Sequence, residues 1–366
     1  MSVREVCRRS RRPARAGFCL LWAALALSFP GGAWAQVPKI PAEEEICVSC
    51  HSNPDLTKVL PSGEKMSLYV NLKVYAASIH GDKLSCTDCH SDTTSFPHPE
   101  RQIKDRRSYS LARYESCKRC HFANYTKTLE SVHYQLLSKG DLRAPVCTDC
   151  HGAHNVTFPA KRDVRISQSC AKCHRDIYKT YLGSIHGRAL IDEGNREVPV
   201  CSTCHTAHSV VDPRTTTFRL GTPEMCGDCH KDEKLMQKYG LSTRVFQTYL
   251  ADFHGASVAL YKKERKPEIS TFTAVCTDCH GVHDITNTDA PNSPVLKANL
   301  VNTCRKCHPD ATAKFPAAWL SHYEPSFKKA PLVYLVKLFY MAFIPFVVGG
   351  LVLQVFLHIW RAAINR

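Results

Sequence analysis

The sequence predicts a mainly α chain with abundant irregular loop, an interior not built from its own side chains, and one membrane helix at the C-terminus. Three observations lead there. Twenty of the 366 residues are cysteine, and eighteen of these fall in nine copies of one five-residue pattern. The segments between copies carry apolar residues at helical spacing over short lengths, with few strand-like runs. From Leu338 to Trp360 the chain reads LFYMAFIPFVVGGLVLQVFLHIW, twenty-three residues without a formal charge, long enough to cross a bilayer.

Each copy of the pattern reads Cys-x-x-Cys-His: Cys47, Cys50 and His51; Cys86, Cys89 and His90; Cys117, Cys120 and His121; Cys147, Cys150 and His151; Cys170, Cys173 and His174; Cys201, Cys204 and His205; Cys226, Cys229 and His230; Cys276, Cys279 and His280; Cys304, Cys307 and His308. This is the signature of covalent c-type haem attachment, in which two thiols add to the haem vinyl groups and the adjacent histidine ligates the iron. A disulfide-rich domain has no need of histidine after every second cysteine. A zinc ribbon tolerates any residue there. Nine covalently bound haem c groups are therefore expected, with these cysteines as thioether ligands and these histidines as proximal iron ligands. Roughly three dozen residues per haem cannot enclose each cofactor in an independent protein core. The predicted architecture is a haem-cored, elongated multihaem cytochrome c domain stapled by its cofactors.

In chain order the first element is a leader, residues 1–35. Arg8, Arg9, Arg11, Arg12 and Arg15 precede the apolar run FCLLWAALALSF, and Ala33-Trp34-Ala35 before Gln36 reads as a cleavage signal. Export puts the haem domain, residues 36–330, in the periplasm. Cys7 and Cys19 belong to the leader, and the residues before Cys19 make a poor lipidation box. The formal charge of +15 loses six arginines and one glutamate with the leader, leaving 42 basic and 32 acidic residues, a net +10. Nine haems with two propionates each add about −9 when oxidised and about −18 when reduced. The basic side chains are then partners for propionates, and no nucleic-acid face is expected.

The haem domain repeats. A Cys-x-x-Cys-His is followed by a helical segment that ends near a histidine, then by a second motif and another histidine. Copies fall near 47–98, 117–154, 170–208 and 226–283, with a half copy at 304–322. Start-to-start spacings of 70, 53, 56 and 78 residues vary with loop insertion, but the order of parts does not. Ten histidines lie outside the motifs, and nine precede the tail: His80, His98, His133, His154, His186, His208, His254, His283 and His322. Nine spare imidazoles for nine haems predict bis-histidine ligation, with these as distal ligands. Methionine, the other common sixth ligand, is limited in the mature soluble part to Met66, Met225 and Met236.

In ASIH, ESVH, GSIH, ADFH and WLSH the histidine is expected to close an amphipathic helix. Apolar residues one turn earlier, such as Tyr181 and Leu182 or Tyr249 and Leu250, would lie on a porphyrin. His154, His208 and His283 follow a proximal histidine by three residues, one helical turn, and are expected to face a neighbouring haem. His98 departs from this, lying eight residues after His90. The insert KVLPSGEKMSLYVN reads as a hairpin, and linkers are expected at 99–113 and 284–300.

Residues 331–366 form the anchor, with Arg361 and Arg366 cytoplasmic once the leader sets the orientation. Pro345, Gly349 and Gly350 allow close packing against a membrane partner, and the tenth histidine, His358, lies near the cytoplasmic edge.

From about Ile46 to Arg366 the chain resembles the multihaem c-type cytochromes with doubled CxxCH repeats. Among them it is most similar to the membrane-bound nonahaem cytochrome portions that accompany di-haem b-type quinol oxidoreductases in anaerobically respiring bacteria. The resemblance rests on SLYVNLKVYAASIHG, CTDCHSD followed by FPHPE, CTDCHGAH, CSTCHTAH and FIPFVVGGLVLQVFLHIW. It implies electron transfer between the quinone pool, through a cytochrome b subunit in the inner membrane, and periplasmic or outer-membrane cytochromes. One membrane helix cannot hold the b haems or a complete quinol site, so that part falls to another polypeptide. The expected function is an electron relay and not an enzyme in its own right, because saturated bis-histidine haems change redox state without changing ligands. The alternative is a terminal reductase of nitrogen or sulfur oxyanions, which needs an iron with an open position. A haem-transport or filament role fits the repeat but not the anchor.

Overall fold

Short helices start where a Ser, Thr, Asn or Asp side chain takes up a free N–H of the first turn. The computed structural model describes residues 42–264, 273–316, 322, 326–328 and 330–365. The first repeat holds α1 (Ala42–His51), a hairpin of β1 (Thr57–Val59) and β2 (Lys65–Ser67), α2 (Leu72–Ala76) and α3 (Cys86–Cys89). The second holds α4 (Arg106–Lys118), α5 (Phe122–Leu129), α6 (Val132–Ser138) and α7 (Cys147–His151). The third holds α8 (Val164–Ala171), α9 (Arg175–Gly183), α10 (Ile185–Ile191) and α11 (Cys201–His205). The fourth holds α12 (Thr216–His230), α13 (Glu233–Lys238), α14 (Arg244–Ala251), α15 (Phe253–Glu264) and α16 (Cys276–His280). α17 (Leu300–Arg305) opens the half repeat, and α18 (Pro331–Ile364) is the apolar C-terminal helix. The leader, Cys7, Cys19 and the segment just before His322 lie outside the described residues.

The chain is mostly helical with little strand, as its sequence predicts. The hairpin is present. Thr57 pairs with Ser67 and Val59 with Lys65, and Gly63 supplies the left-handed backbone of the turn at φ +85°. Apolar burial is sparse among the described residues. One cluster joins Tyr181, Leu190 and Val200, and another Leu220, Val258 and Val275.

The second motif of each repeat is held by its own variable residues. In CTDCH the aspartate is the third helical residue and accepts the N–H at the helix entrance: Asp149 from Val146 and Asp278 from Val275, both at 2.7 Å. Thr203 does the same for Val200 at 3.1 Å. An arginine from the repeat's opening helix then ties the entrance down. Arg107 pairs with Asp149 at 2.7 Å and also donates to the Leu142 carbonyl at 2.6 Å. Arg219 pairs with Asp278 at 2.8 Å and donates to the Thr273 carbonyl at 2.7 Å. These pairs are only partly exposed and each carries a second hydrogen bond, which favours them over a plain surface ion pair.

Two expectations are corrected. Residues 99–113 are not a linker throughout, because Asp105 caps α4 by accepting from Ser108 N–H at 2.6 Å, and the helix runs on from Arg106. Residues 284–300 are irregular but fastened: Asn299 Nδ2 donates to the carbonyls of Pro291 and Ser293, each at 2.9 Å, and Ser293 is fully buried. The charge and Pro content that suggested linkers reflects capping and turn residues instead.

α18 is one continuous helix of 34 residues with mean hydropathy 2.1 over its most apolar window and no part of that window buried. At 1.5 Å per residue it is roughly 51 Å long, more than the ~30 Å of a bilayer's hydrocarbon core. It is apolar and long enough to span a membrane once.

Candidate haem-ligand pairs

The histidines of the motifs meet the histidines outside them two by two. Ring centroids are 6.2 Å apart for His51 and His98, 6.1 Å for His121 and His80, and 6.1 Å for His90 and His154. The same separation recurs at 6.2 Å for His174 and His133, 6.0 Å for His151 and His208, and 6.5 Å for His230 and His186. It recurs again at 6.0 Å for His205 and His283, 6.4 Å for His308 and His254, and 6.1 Å for His280 and His322. Every motif histidine and each of the nine expected distal histidines is used once. Two imidazoles on opposite sides of one metal, with metal–nitrogen bonds of about 2.0 Å and about 1.1 Å from nitrogen to ring centre, have centroids roughly 6 Å apart. The residues therefore fit bis-histidine haem. They do not fit structural zinc, which takes four ligands, since no cluster of three or more metal-binding side chains occurs among the described residues.

The pairing crosses repeat boundaries. At each junction the histidine after the helical segment of one repeat faces the first motif of the next, and the histidine after the second motif of the later repeat faces the second motif of the earlier one. Repeats one and two exchange His80 for His154, two and three exchange His133 for His208, and three and four exchange His186 for His283. The backbone repeats the exchange. The N–H of Ile79 donates to the Val156 carbonyl at 3.0 Å, that of Val132 to Val210 at 2.8 Å and that of Ile185 to Ile285 at 2.7 Å. In each case the donor directly precedes one distal histidine and the acceptor lies two residues after the other. At the N-terminal end the rule changes, and His98 turns back to the first motif of its own repeat; at the other end His254 faces the half repeat's motif by the same rule, and His322 faces the second motif of repeat four.

The local structure explains how each ring is aimed, and it corrects the expectation that the histidine closes a helix. His133, His186 and His254 stand in the first turn of the next one, whereas His80 lies in a turn. Ser131 accepts from His133 N–H at 3.2 Å, Ser184 from Gly187 N–H at 3.0 Å and Asp252 from His254 N–H at 2.7 Å, so these residues end one helix and cap α6, α10 and α15. The chain therefore turns a corner immediately before the histidine. At Gly187 a Cβ would stand 1.9 Å from the Tyr181 carbonyl, so the corner needs glycine there, and Gly81 and Gly255 meet Tyr75 and Tyr249 in the same way. Repeat two has Tyr134 at this position. There the His133 and His174 rings are inclined at 32°, against 52°, 55° and 53° for the matching pairs of His80, His186 and His254.

Tyr181 and Tyr249 do not lie where a porphyrin would. Both are buried in protein, with hydroxyls donating to the carbonyls of Pro199 at 2.7 Å and Ala274 at 2.9 Å, two residues before the second motif. Tyr75 bonds Leu84 in the same register at 2.7 Å, and burial pushes its hydroxyl pKa up to about 12. These tyrosines brace the helix against the second motif. The motif helices also stop at the proximal histidine, so His154, His208 and His283 are not one helical turn further along. Gly152, Thr206 and Gly281 follow with φ of 76°, 61° and 84°, and this left-handed residue swings the chain away from its own motif.

Burial lowers the pKa of His90 to about 4, with Arg113 adding to the effect, and that of His186 to about 4, with His230 adding to it. It also lowers those of His133, His151, His154, His205, His208, His230, His280 and His283. The neutral ring is the form that ligates iron. His51 donates Nδ1–H to the Leu68 carbonyl at 2.6 Å, which leaves Nε2 for a metal. Arg113 pairs with Asp92 through its Nη atoms, and its Nε is buried without a hydrogen-bond partner, as a group facing an anionic partner such as a propionate would be.

Successive motifs touch in chain order. The first cysteines of the two motifs in a repeat are neighbours: Cys47 and Cys86, Cys117 and Cys147, Cys170 and Cys201, Cys226 and Cys276. Across junctions Cys89 lies within electrostatic reach of Cys117, Cys150 of Cys173, Cys204 of Cys226 and Cys279 of Cys304. The histidines that pair are contiguous with or countable against the motifs in sequence, whereas the clasp, the caps and this order show in the structure. The signals were present: Ser or Asp two residues before each helix-borne histidine, and Val or Ile two residues after each of His154, His208 and His283.

Residues 138–178 and 193–235 match the family model described as Doubled CXXCH motif. No curated protein and no solved structure matches the chain. Motif and match together indicate a multihaem c-type cytochrome with covalently bound haem c, a protein of electron transfer.

Proposed function

We propose that the chain is a membrane-anchored nonahaem c-type cytochrome, a one-electron relay with its haem domain in the periplasm. The observation that carries this reading is the set of nine histidine pairs at 6.0–6.5 Å, which takes in every proximal and every expected distal residue. Nine bis-histidine haems would supply low-potential one-electron chemistry without ligand exchange. The chain's own part is to fix the sites in order. Consecutive motifs lie side by side, Arg113 Nε–H would donate to a propionate, and the exchanged histidines lock neighbouring repeats so that site-to-site distances stay constant.

The path then follows the sequence from the His51 motif to the His308 motif, with the latter only 23 residues before α18. Electrons would therefore pass between the membrane at the His308 end and a soluble or outer-membrane partner at the His51 end. The apolar helix supports an inner-membrane partner, and its resemblance to the anchors of quinone-linked complexes favours a cytochrome b subunit. The reductase alternative requires an iron lacking a sixth ligand, and the pairing gives each motif two imidazoles. EPR of the fully oxidised protein tests the reading: nine low-spin ferric haems are expected, and a high-spin ferric signal near one-ninth of total iron or above would refute it.

A further inference from the structure

We infer that His98 is an exchangeable distal ligand, and that the haem on the Cys47–Cys50 motif is a binding site for a small neutral ligand of ferrous haem. This rests on the relay reading above and deepens it at one terminus. The argument compares how the nine distal histidines are held. His80, His133 and His186 each follow a residue whose N–H is bonded to another repeat, and His154, His208 and His283 each precede the carbonyl that receives such a bond by two residues. His254 is fixed at the head of α15 by Asp252, at 2.7 Å from its N–H, and the His322 ring hydrogen-bonds the backbone of Val245. Eight of the nine are thus tied to a regular helix or to a distant part of the chain.

His98 is different. Its Nδ1–H donates to the Ser95 carbonyl at 2.7 Å, three residues earlier in the same loop, and apart from His51 its ring meets the Phe96 ring at 6.2 Å, itself 79% exposed. Residues 91–103 contain no helix or strand, and His98 is itself exposed. The loop is anchored only at its base, where Asp92 pairs with Arg101 at 2.7 Å and with Arg113 at 2.6 Å. An intramolecular ligand is held in place by its effective concentration, which falls as the segment bearing it gains freedom. Swinging the 93–100 segment outward breaks one iron–nitrogen bond and no hydrogen bond to another repeat. At any interior site the same motion must also break the clasp between repeats. The step is a ligand substitution with no net redox change: the iron–nitrogen bond to His98 breaks, and a bond from iron to the incoming ligand forms.

The sequence agrees with this reading. The Val or Ile that accepts the clasp two residues after His154, His208 and His283 is replaced after His98 by Pro99-Glu100. Residues 1–46 carry no Cys-x-x-Cys-His motif whose repeat could donate the bond.

The probe is carbon monoxide added to the detergent-solubilised holoprotein after reduction with dithionite, with haem content checked by mass. One CO per nine haems is expected, bound at a rate independent of CO concentration at high CO because loss of His98 limits it. The His98→Ala protein should bind the same single CO in a fast, concentration-dependent step, and should show one high-spin ferric haem when oxidised. No CO uptake by the wild type, or a second CO site gained in His98→Ala, overturns the inference. The first result with a wholly low-spin oxidised spectrum leaves the relay reading intact. High-spin iron in the untreated oxidised wild type would instead remove the relay reading itself.

Discussion

The junctions between repeats and the N-terminal end of the haem domain solve the same problem in different ways. At a junction two histidines are exchanged and a backbone hydrogen bond of 2.7–3.0 Å seals the exchange, as with Ile185 and Ile285. Before the His51 motif, residues 1–46 carry no further motif to pair with. His98 instead folds back within its own repeat on a loop that bonds mainly to itself. The difference accounts for the one irregular spacing in the ligand set. A histidine three residues after His90 would point to the absent repeat before it, and the longer insert lets His98 reach His51 instead. A repeat is thus the unit of sequence but not of histidine pairing, since the motif histidines of each interior repeat face histidines of both neighbours.

The largest effect that would break this comparison comes from cutting the chain between repeats. A protein ending after Asp212 keeps six motifs, and the His205 motif loses His283 while the other five keep their partners. One high-spin haem in six is expected by EPR, whereas self-contained repeats would leave six low-spin haems. A smaller change is His208→Met, which alters one interior ligand and keeps the clasp. Spectroelectrochemistry should show one of the nine midpoint potentials raised and the rest little moved, because methionine ligation favours the reduced iron.

Corner packing is more local. Gly187→Ala would set a methyl against the Tyr181 carbonyl, a backbone atom that cannot swing aside, and should cost about 1–3 kcal/mol. Denaturation followed at the haem absorption band would show the loss, and Tyr134→Ala in repeat two should cost less. Tyr181→Phe removes only the bond to the Pro199 carbonyl and leaves that acceptor short of one partner. About 1 kcal/mol is expected by the same measurement. The finest test is Tyr134→Gly, whose crystal structure should show the His133 and His174 rings opening from 32° toward the 52–55° of the other corners.

How much was legible in the sequence follows from where each signal lives. The attachment motifs are contiguous in sequence, so they could be read directly. The equality of spare histidines and motifs is a count, and needs no geometry. The hairpin had its turn residues and the C-terminal helix its length. The corners are hidden in the sequence because apolar periodicity runs through them. From Tyr178 to Leu190 the apolar positions continue across two helices, and only the capping oxygen of Ser184 breaks them. The spacing of Tyr181 and Tyr249 suits a porphyrin as well as a protein surface, since spacing cannot say which buried surface a ring meets. Their hydroxyls decided it, since a buried hydroxyl seeks a carbonyl and found Pro199 and Ala274. The clasp joins residues 77, 78 and 100 positions apart, and no local pattern carries such a pairing.

The most direct test is an experimental structure of the haem-loaded protein at a resolution that traces iron ligands. The haem on Cys117 and Cys120 should carry His121 on one side and His80, from the preceding repeat, on the other, with the same crossing at each later junction. Iron atoms ligated by two histidines of a single repeat at these interior sites would contradict the exchange on which the relay is built.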